Sequence, residues 1–208
     1  MDNDRLGPSL LQAMTAMGHT RAFRKDAILI QEGDHSSTLY IVLTGRVLAY
    51  ASSEEGRDVV LSDYGPGEYF GELALDGGPR AASVRAAEPT TCCVIQALDL
   101  VDVLAMQPEF ALHLVHKLSR MVRRATDQVK DLALLDVYGR LARMLIELSD
   151  ESDGVRVVRL RLTQQDIADR VGSSREMVNR VLKDLVTGGY VSVNDGHYVI
   201  HRKLPAAR

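Results

Sequence analysis

An apolar seam at the centre of the chain constrains its fold more than any other feature. Leu114, Leu118, Met121, Ala125, Gln128, Leu132 and Leu135 follow one another at intervals of 4, 3, 4, 3, 4 and 3. This is a heptad a/d pattern held over three repeats, with Val115, Val122 and Val129 flanking it at sevens. A helix packed only on its own domain shows a broader stripe of period 3.6. The spacing therefore predicts a helix over 110–136 that pairs with a second copy of itself as a two-stranded coiled coil. Gln128 at a core position weakens such a pair but helps set its register. The seam separates a domain at 1–109 from another at 137–208.

From Ala22 to Leu98 the chain reads as short strands punctuated by Gly33, Gly45, Gly56, Gly65 and Gly67. Tyr40–Leu43, Val47–Tyr50, Val59–Leu61 and Ala82–Val84 are examples, and Thr91–Ile95 adds a buried one. Their close spacing predicts an antiparallel barrel or jelly roll. After the seam, Asp136 is placed to cap a helix whose Leu141, Leu145 and Leu148 share a face. Asp150–Gly154 reads as a polar turn, and Val158–Leu162 alternates like a strand. Two capping boxes follow, Thr163 with Asp166 and Ser173 with Glu176, separated by a turn at Gly172. Gly188 and Gly189 stop the second helix, and Val191–Ile200 folds back as a hairpin around Asn194, Asp195 and Gly196. Helix, glycine turn, helix and hairpin outline a winged helix-turn-helix. The fold class is α+β.

Charge divides along the same line. Residues 137–208 hold 12 Lys/Arg against 9 Asp/Glu, a net of +3, whereas residues 1–136 hold 13 against 19, a net of −6. The C-terminal part is thus the one suited to an anionic partner. No apolar run approaches the ~20 residues that span a bilayer, and Met1-Asp2-Asn3-Asp4-Arg5 has none of the character of a signal peptide. A cytoplasmic protein without a membrane partner is expected. Cys92 and Cys93 are adjacent, which suits buried strand positions; a redox pair is the alternative. His19, His35, His113, His116, His197 and His201 are scattered and read as surface residues. No metal-ligand spacing, nucleophile elbow or Walker loop occurs, so neither a metal site nor an enzyme is expected.

Two segments carry chemistry. Residues 70–85 read Phe-Gly-Glu-Leu-Ala-Leu-Asp-Gly-Gly-Pro-Arg-Ala-Ala-Ser-Val-Arg. Gly71 allows close approach of backbone to a ligand, and a short helix after it would aim free N–H groups at an anion. Glu72 suits a ribose hydroxyl, and Arg80 suits a phosphate. A structural Glu72–Arg80 salt bridge is the plainer alternative. In the second segment, Arg175, Glu176, Asn179 and Arg180 fall within an arc of about 140° of one helix. Arg can grip guanine, Glu can accept from cytosine and Asn can pair with adenine, while Gln164 and Gln165 suit phosphates. A solvated charged face is the alternative here.

Together these segments resemble the cyclic-AMP receptor protein / fumarate–nitrate regulator (Crp/Fnr) family of bacterial transcription factors, over about Phe23 to Tyr198. The resemblance rests on the Phe70–Leu75 and Pro79–Ala82 cassette, on Leu135-Asp136-Val137 and on Ser174-Arg175-Glu176 with Arg180. It implies an N-terminal cyclic-nucleotide-binding β-roll, a dimerisation helix at 110–135 and a homodimer acting as a transcription regulator. Gly71, Glu72, Leu73, Arg80 and Ala81 would hold ribose and cyclic phosphate. Arg175, Glu176 and Arg180 would read TGTGA-like half-sites of palindromic double-stranded DNA, with Ser174 also among the DNA-binding residues. The positions that contact adenine in such receptors match Ala125 and Thr126, so one of the two hydroxyls is absent. Cyclic AMP is the expected effector. Cyclic di-GMP, cyclic GMP, another signal or no ligand are the alternatives. An activator also needs a surface for RNA polymerase, for which the basic run His19, Arg21, Arg24 and Lys25 is the candidate.

Overall fold

The computed structural model describes residues 4–96, 104–105, 107–152, 154–194 and 196–204. Met1–Asn3, Leu98, Asp153 and Asp195, named above, lie outside these. The chain forms two compact units, 1–122 and 123–208.

In the first unit, helix α1 (Pro8–Thr15) precedes eight strands: β1 (His19–Phe23), β2 (Ile28–Ile30), β3 (Thr38–Thr44), β4 (Val47–Ser52), β5 (Asp58–Tyr64), β6 (Tyr69–Phe70), β7 (Ser83–Ala86) and β8 (Thr90–Gln96). They make two four-stranded antiparallel sheets, ordered β1-β8-β3-β6 and β2-β7-β4-β5. The strands expected at Tyr40–Leu43, Val47–Tyr50, Val59–Leu61 and Thr91–Ile95 are all present. Strands β3, β6 and β8 of the first sheet are buried on both faces, which explains why β3 reads as an unbroken apolar run. Tyr40 and Val42 point into a core shared with Val47, Ala49 and Val84 of the other sheet. Leu39 and Ile41 point the other way, onto Leu10 and Met14 of α1 and onto Phe110 and Leu114. The same alternation sends Cys92 into one core and Cys93 into the other. Both thiols are free, and burial pushes Cys92 up to about 12 and raises Cys93, which keeps them protonated.

Helix α2 (Pro108–Leu134) carries two apolar faces. Phe110 and Leu114 are buried against the first sheet. The outward stripe is Val115, Val122, Ala125, Val129 and Leu132, in which Val122 and Val129 are each 66% exposed, while Leu118 is half-buried against the first unit's core. It includes Ala125 and Leu132 of the expected seam together with the valines that flank it. Leu114 is buried in the first unit and Met121 lines a cavity there. Gln128 is exposed, as are its neighbours along the helix.

The second unit contains α3 (Val137–Glu147), β9 (Ser149–Ser152), β10 (Val155–Val158), α4 (Gln164–Val171), α5 (Arg175–Thr187), β11 (Val191–Asn194) and β12 (His197–Ile200). Its sheet runs β11-β12-β10-β9. Asp136 caps α3 by accepting from the Gly139 amide at 2.8 Å. Thr163 and Asp166 form the expected reciprocal capping box of α4. The cap of α5 is Ser174, whose hydroxyl accepts from Met177 at 3.2 Å, and not Ser173. Ser173 belongs to the turn, where its amide donates to Ala168 O, and Gly172 supplies the φ of +63° that the turn requires. The strand expected at Val158–Leu162 lies earlier, as the β9–β10 hairpin. Beyond Val158 the apolar residues still face the core, but Arg159 N donates to Leu148 O instead of to a strand.

Leu141, Leu145, Ile167, Val178 and Leu185 form the centre of this unit's core. Ile167 is completely buried, so Ile167→Ala should lower stability by about 2–5 kcal/mol, and Thr163→Ala, through the lost cap, by about 1 kcal/mol. Urea unfolding of the full chain followed by circular dichroism reads both, and equal shifts for the two variants would contradict this packing.

Candidate ligand cavity and nucleic-acid interface

After β6, Gly71 adopts φ +92° and turns the chain into a 3₁₀ segment, Glu72–Asp76. A Cβ at Gly71 would lie 2.6 Å from Thr38 O, so sterics as well as torsion demand glycine here. The same crossing is held by Arg80. Its Nε donates to Ser36 Oγ (2.9 Å), Nη1 to Gly71 O (2.9 Å) and Nη2 to Thr38 O (2.8 Å). The guanidinium is buried and fixed in plane, and a guanidinium has five N–H groups, so two remain for an anion. Burial lowers the Arg80 pKa, and the negative charges of Asp34 and Glu72 oppose that effect.

Gly71, Glu72, Leu73, Arg80 and Ala81 all line one cavity of about 60 Å³, together with Ala82, Phe70, Tyr64 and Met121. Phe70 stacks between Tyr40 (5.1 Å) and Tyr64 (5.6 Å), giving the cavity a rigid aromatic wall. The expected alternative, a Glu72–Arg80 salt bridge, does not form. Glu72, with its side chain 2% exposed, instead lies 3.3 Å from Lys117 Nζ on α2. Its Oε2 accepts no aligned hydrogen bond, so the contact is ionic and the oxygen retains acceptor capacity.

Lys117 joins the site through this contact, which sequence pattern alone does not single out. It falls three residues after Leu114 and four before Met121, on the inward face of α2, where a cation at that spacing is the only signal. Ser36 carried no comparable signal. Ala125 and Thr126 lie further along α2, in the second unit, and are exposed.

In the second unit, Ser174, Arg175, Glu176, Asn179 and Arg180 are all exposed, while Val178, Val181, Leu182 and Leu185 fill the core. Gln164 Nε2 donates to Asn179 Oδ1 at 3.1 Å, tying the start of α4 to this face. Gln165 instead bonds Asp169 at 2.7 Å. Exposed Lys183, four residues after Asn179, extends the face and was overlooked. No group of His, Cys, Asp or Glu among the described residues is arranged to hold a metal. No described helix is long and apolar enough to cross a membrane.

His113 and His197 are half-buried, which corrects the expectation of surface histidines. His197 Nδ1 bonds Val158 O at 3.0 Å, and His113 Nδ1 bonds Tyr69 Oη at 3.1 Å.

A β-sandwich with a cavity lined by a buried guanidinium and a buried carboxylate, in one chain with a winged helix-turn-helix, defines a transcription regulator with a nucleotide-binding domain. Residues 20–107 match the cyclic nucleotide-binding domain family, and residues 139–205 match the Crp-like helix-turn-helix domain family. The CRP-like cAMP-activated global transcriptional regulator of Mycobacterium tuberculosis (strain CDC 1551 / Oshkosh) is 32% identical over 189 residues, covering 88% of this chain and 84% of that protein. The cAMP-activated global transcriptional regulator CRP of Pasteurella multocida (strain Pm70) is 30% identical over 191 residues, covering 88% and 90%. Among solved structures, the c-di-GMP responsive global regulator CLP of Xanthomonas campestris superposes with a TM-score of 0.81 at 28% identity, covering 92% and 98%. The chain belongs to the Crp/Fnr family of transcription regulators.

Burial lowers the His113 pKa, and the charges of Arg120 and Lys117 act in the same direction, against Asp4 and a backbone bond to Arg5. The unfolded chain, with an ordinary value near 6.5, then binds more protons than the folded one just below that pH. His113 thus lowers stability as pH falls from about 6.5 toward its folded value and has no such effect above. His113→Gln should flatten the dependence of melting temperature on pH in that window, and an unchanged slope would remove His113 from the account.

Proposed function

We propose that this protein is a homodimeric regulator whose N-terminal cavity binds cyclic AMP and whose α5 helices read palindromic DNA with TGTGA-like half-sites. One observation carries the ligand assignment. A buried carboxylate with spare acceptor capacity and a buried guanidinium with two N–H groups left over line the same small cavity. A 3′,5′-cyclic nucleotide offers the matching pair, one ribose hydroxyl and one anionic phosphate. Gly71, Glu72, Leu73 and Ala81 surround it, with Arg80 on the phosphate. The cavity is smaller than the ~300–1,000 Å³ of typical ligand sites, so the nucleotide has to displace side chains, among which Leu73 is large and exposed. Family resemblance assigns the base to Ala125 and Thr126. The names of the mycobacterial and Pasteurella relatives support cyclic AMP. The Xanthomonas neighbour supports cyclic di-GMP as the second reading.

Dimerisation through helix 110–135 is supported by the exposed valine and leucine stripe of α2, which is unfavourable facing water. Arg175, Glu176, Asn179 and Arg180 would contact base edges, with Ser174, Gln164 and Gln165 on phosphates. A regulator acting on DNA in this way works in the cytoplasm. The exposed basic run His19, Arg21, Arg24 and Lys25 is the surface offered to RNA polymerase.

Calorimetric titration with cyclic AMP, and anisotropy with a palindromic duplex, test this reading. Ligand and specific DNA should raise each other's affinity by the same factor. Arg80→Ala should abolish the nucleotide effect; equal DNA affinity with and without saturating ligand would overturn the allosteric assignment. Binding of cyclic di-GMP in place of cyclic AMP would select the second reading.

On DNA, Arg180→Ala should cost about 1–3 kcal/mol and relax preference at one base position, whereas Lys183→Ala should weaken binding to all sequences and reduce the salt slope by about 1. Equal losses on specific and random duplexes for Arg180→Ala would contradict base readout.

A further inference from the structure

Lys117 lies outside the cavity lining, yet it is the cation in contact with the cavity's carboxylate. Its side chain is 1% exposed. An ammonium taken that far from water is strongly disfavoured unless each of its donors is used. The surroundings meet that need in three ways. Nζ donates to Tyr69 O, lies 3.3 Å from Glu72 Oε2, and sits over the rings of Tyr69 at 3.8 Å and Tyr64 at 5.2 Å. Arg80, the other cation near Glu72, has its Nε, Nη1 and Nη2 directed at Ser36, Gly71 and Thr38. Glu68 and Asp4 add negative charge around Lys117 from the turn before β6 and the N-terminal segment. Removing Lys117 would leave a carboxylate enclosed among these anions with no contacting cation.

We propose that Lys117 is a positioning residue that holds the Glu72 carboxylate in place and aimed into the cavity, and thereby sets its preference for a ribose over a deoxyribose cyclic nucleotide. This rests on the cavity being a cyclic-nucleotide site. A 3′,5′-cyclic nucleotide has a single free sugar hydroxyl, the 2′, and Glu72 is the acceptor available to it. Lys117 acts only through that acceptor, so its loss should be felt by a ligand bearing the hydroxyl and hardly at all by one lacking it.

The test is calorimetric titration of the full chain with cyclic AMP and with 2′-deoxy cyclic AMP. Wild-type protein should prefer the ribonucleotide by about tenfold or more, as expected for a hydrogen bond to a charged acceptor. In Lys117→Met the ratio should collapse toward unity through loss of cyclic AMP affinity, and Glu72→Gln should behave alike. Lys117→Gln keeps a donor for Tyr69 O without the charge, so it should show the same collapse even if the methionine variant fails to fold. Lys117→Arg, which restores the charge, should recover part of the preference. A wild-type ratio in a folded Lys117→Met or Lys117→Gln protein, with both ligands weakened equally or not at all, would overturn the role of Lys117 alone. Failure of wild-type protein to bind cyclic AMP would overturn the ligand assignment and this inference with it.

Discussion

The N-terminal unit depends on a guanidinium buried where three chain segments cross. Arg80 reaches the backbone of β3 at Thr38, the Gly71 carbonyl that opens the 3₁₀ segment and the Ser36 hydroxyl before β3. Hydrogen bonds to a charged donor contribute about 1.5–3 kcal/mol each, and a planar fork fixes direction as well as distance. The backbone replies in kind: Arg80 N donates to Asp34 O, and Gly33 N donates to Arg80 O. Arg80 is therefore both a strut of the sandwich and the cationic wall of its cavity. Holding its charge rigid before any anion arrives reduces the ordering that binding would otherwise require.

A second constraint is the double use of α2. Its first turns must cover a sheet already packed on its other face, so Phe110 and Leu114 are committed inward. Lys117 follows on that same inward side and brings a charge into the layer, which Glu72, Tyr69 O and the Tyr69 and Tyr64 rings make tolerable. The outward face is left with valines and leucines that nothing in the chain's own first unit covers. A helix turning 100° per residue can serve two such faces only if their residues interleave. Leu114 and Val115, or Met121 and Val122, are neighbours in sequence with opposite duties.

Much of this was legible. Strand positions, the caps at Asp136 and Thr163, the glycine turn at Gly172 and the exposed arc of Arg175, Glu176, Asn179 and Arg180 follow from local rules of torsion, capping and periodicity. So does the gathering of Gly71, Glu72, Arg80 and Ala81, because all lie on one short segment. Less legible were features decided by a distant partner. Ser36 shows nothing unusual until Arg80, 44 residues away, donates to it. The cap of α5 passed from Ser173 to Ser174 because both fit a serine-based pattern, and only the turn geometry chooses between them. The strand expected at Val158–Leu162 failed for a similar reason, since inward-facing apolar residues alternate whether or not a neighbouring strand is there to pair with.

By itself the sequence determined the identity and order of the elements, since capping, glycine torsions and hydrophobic period act over a few residues. It also determined which side chains could bind an anion or read a base, because these are properties of single groups. The tertiary structure alone decided which face of α2 is covered, which cation meets Glu72 and which oxygens hold Arg80. Those outcomes depend largely on contacts between distant residues, such as Lys117 with Glu72 and Arg80 with Ser36 and Thr38, where burial sets the strength of each charge and local pattern carries no information about the partner.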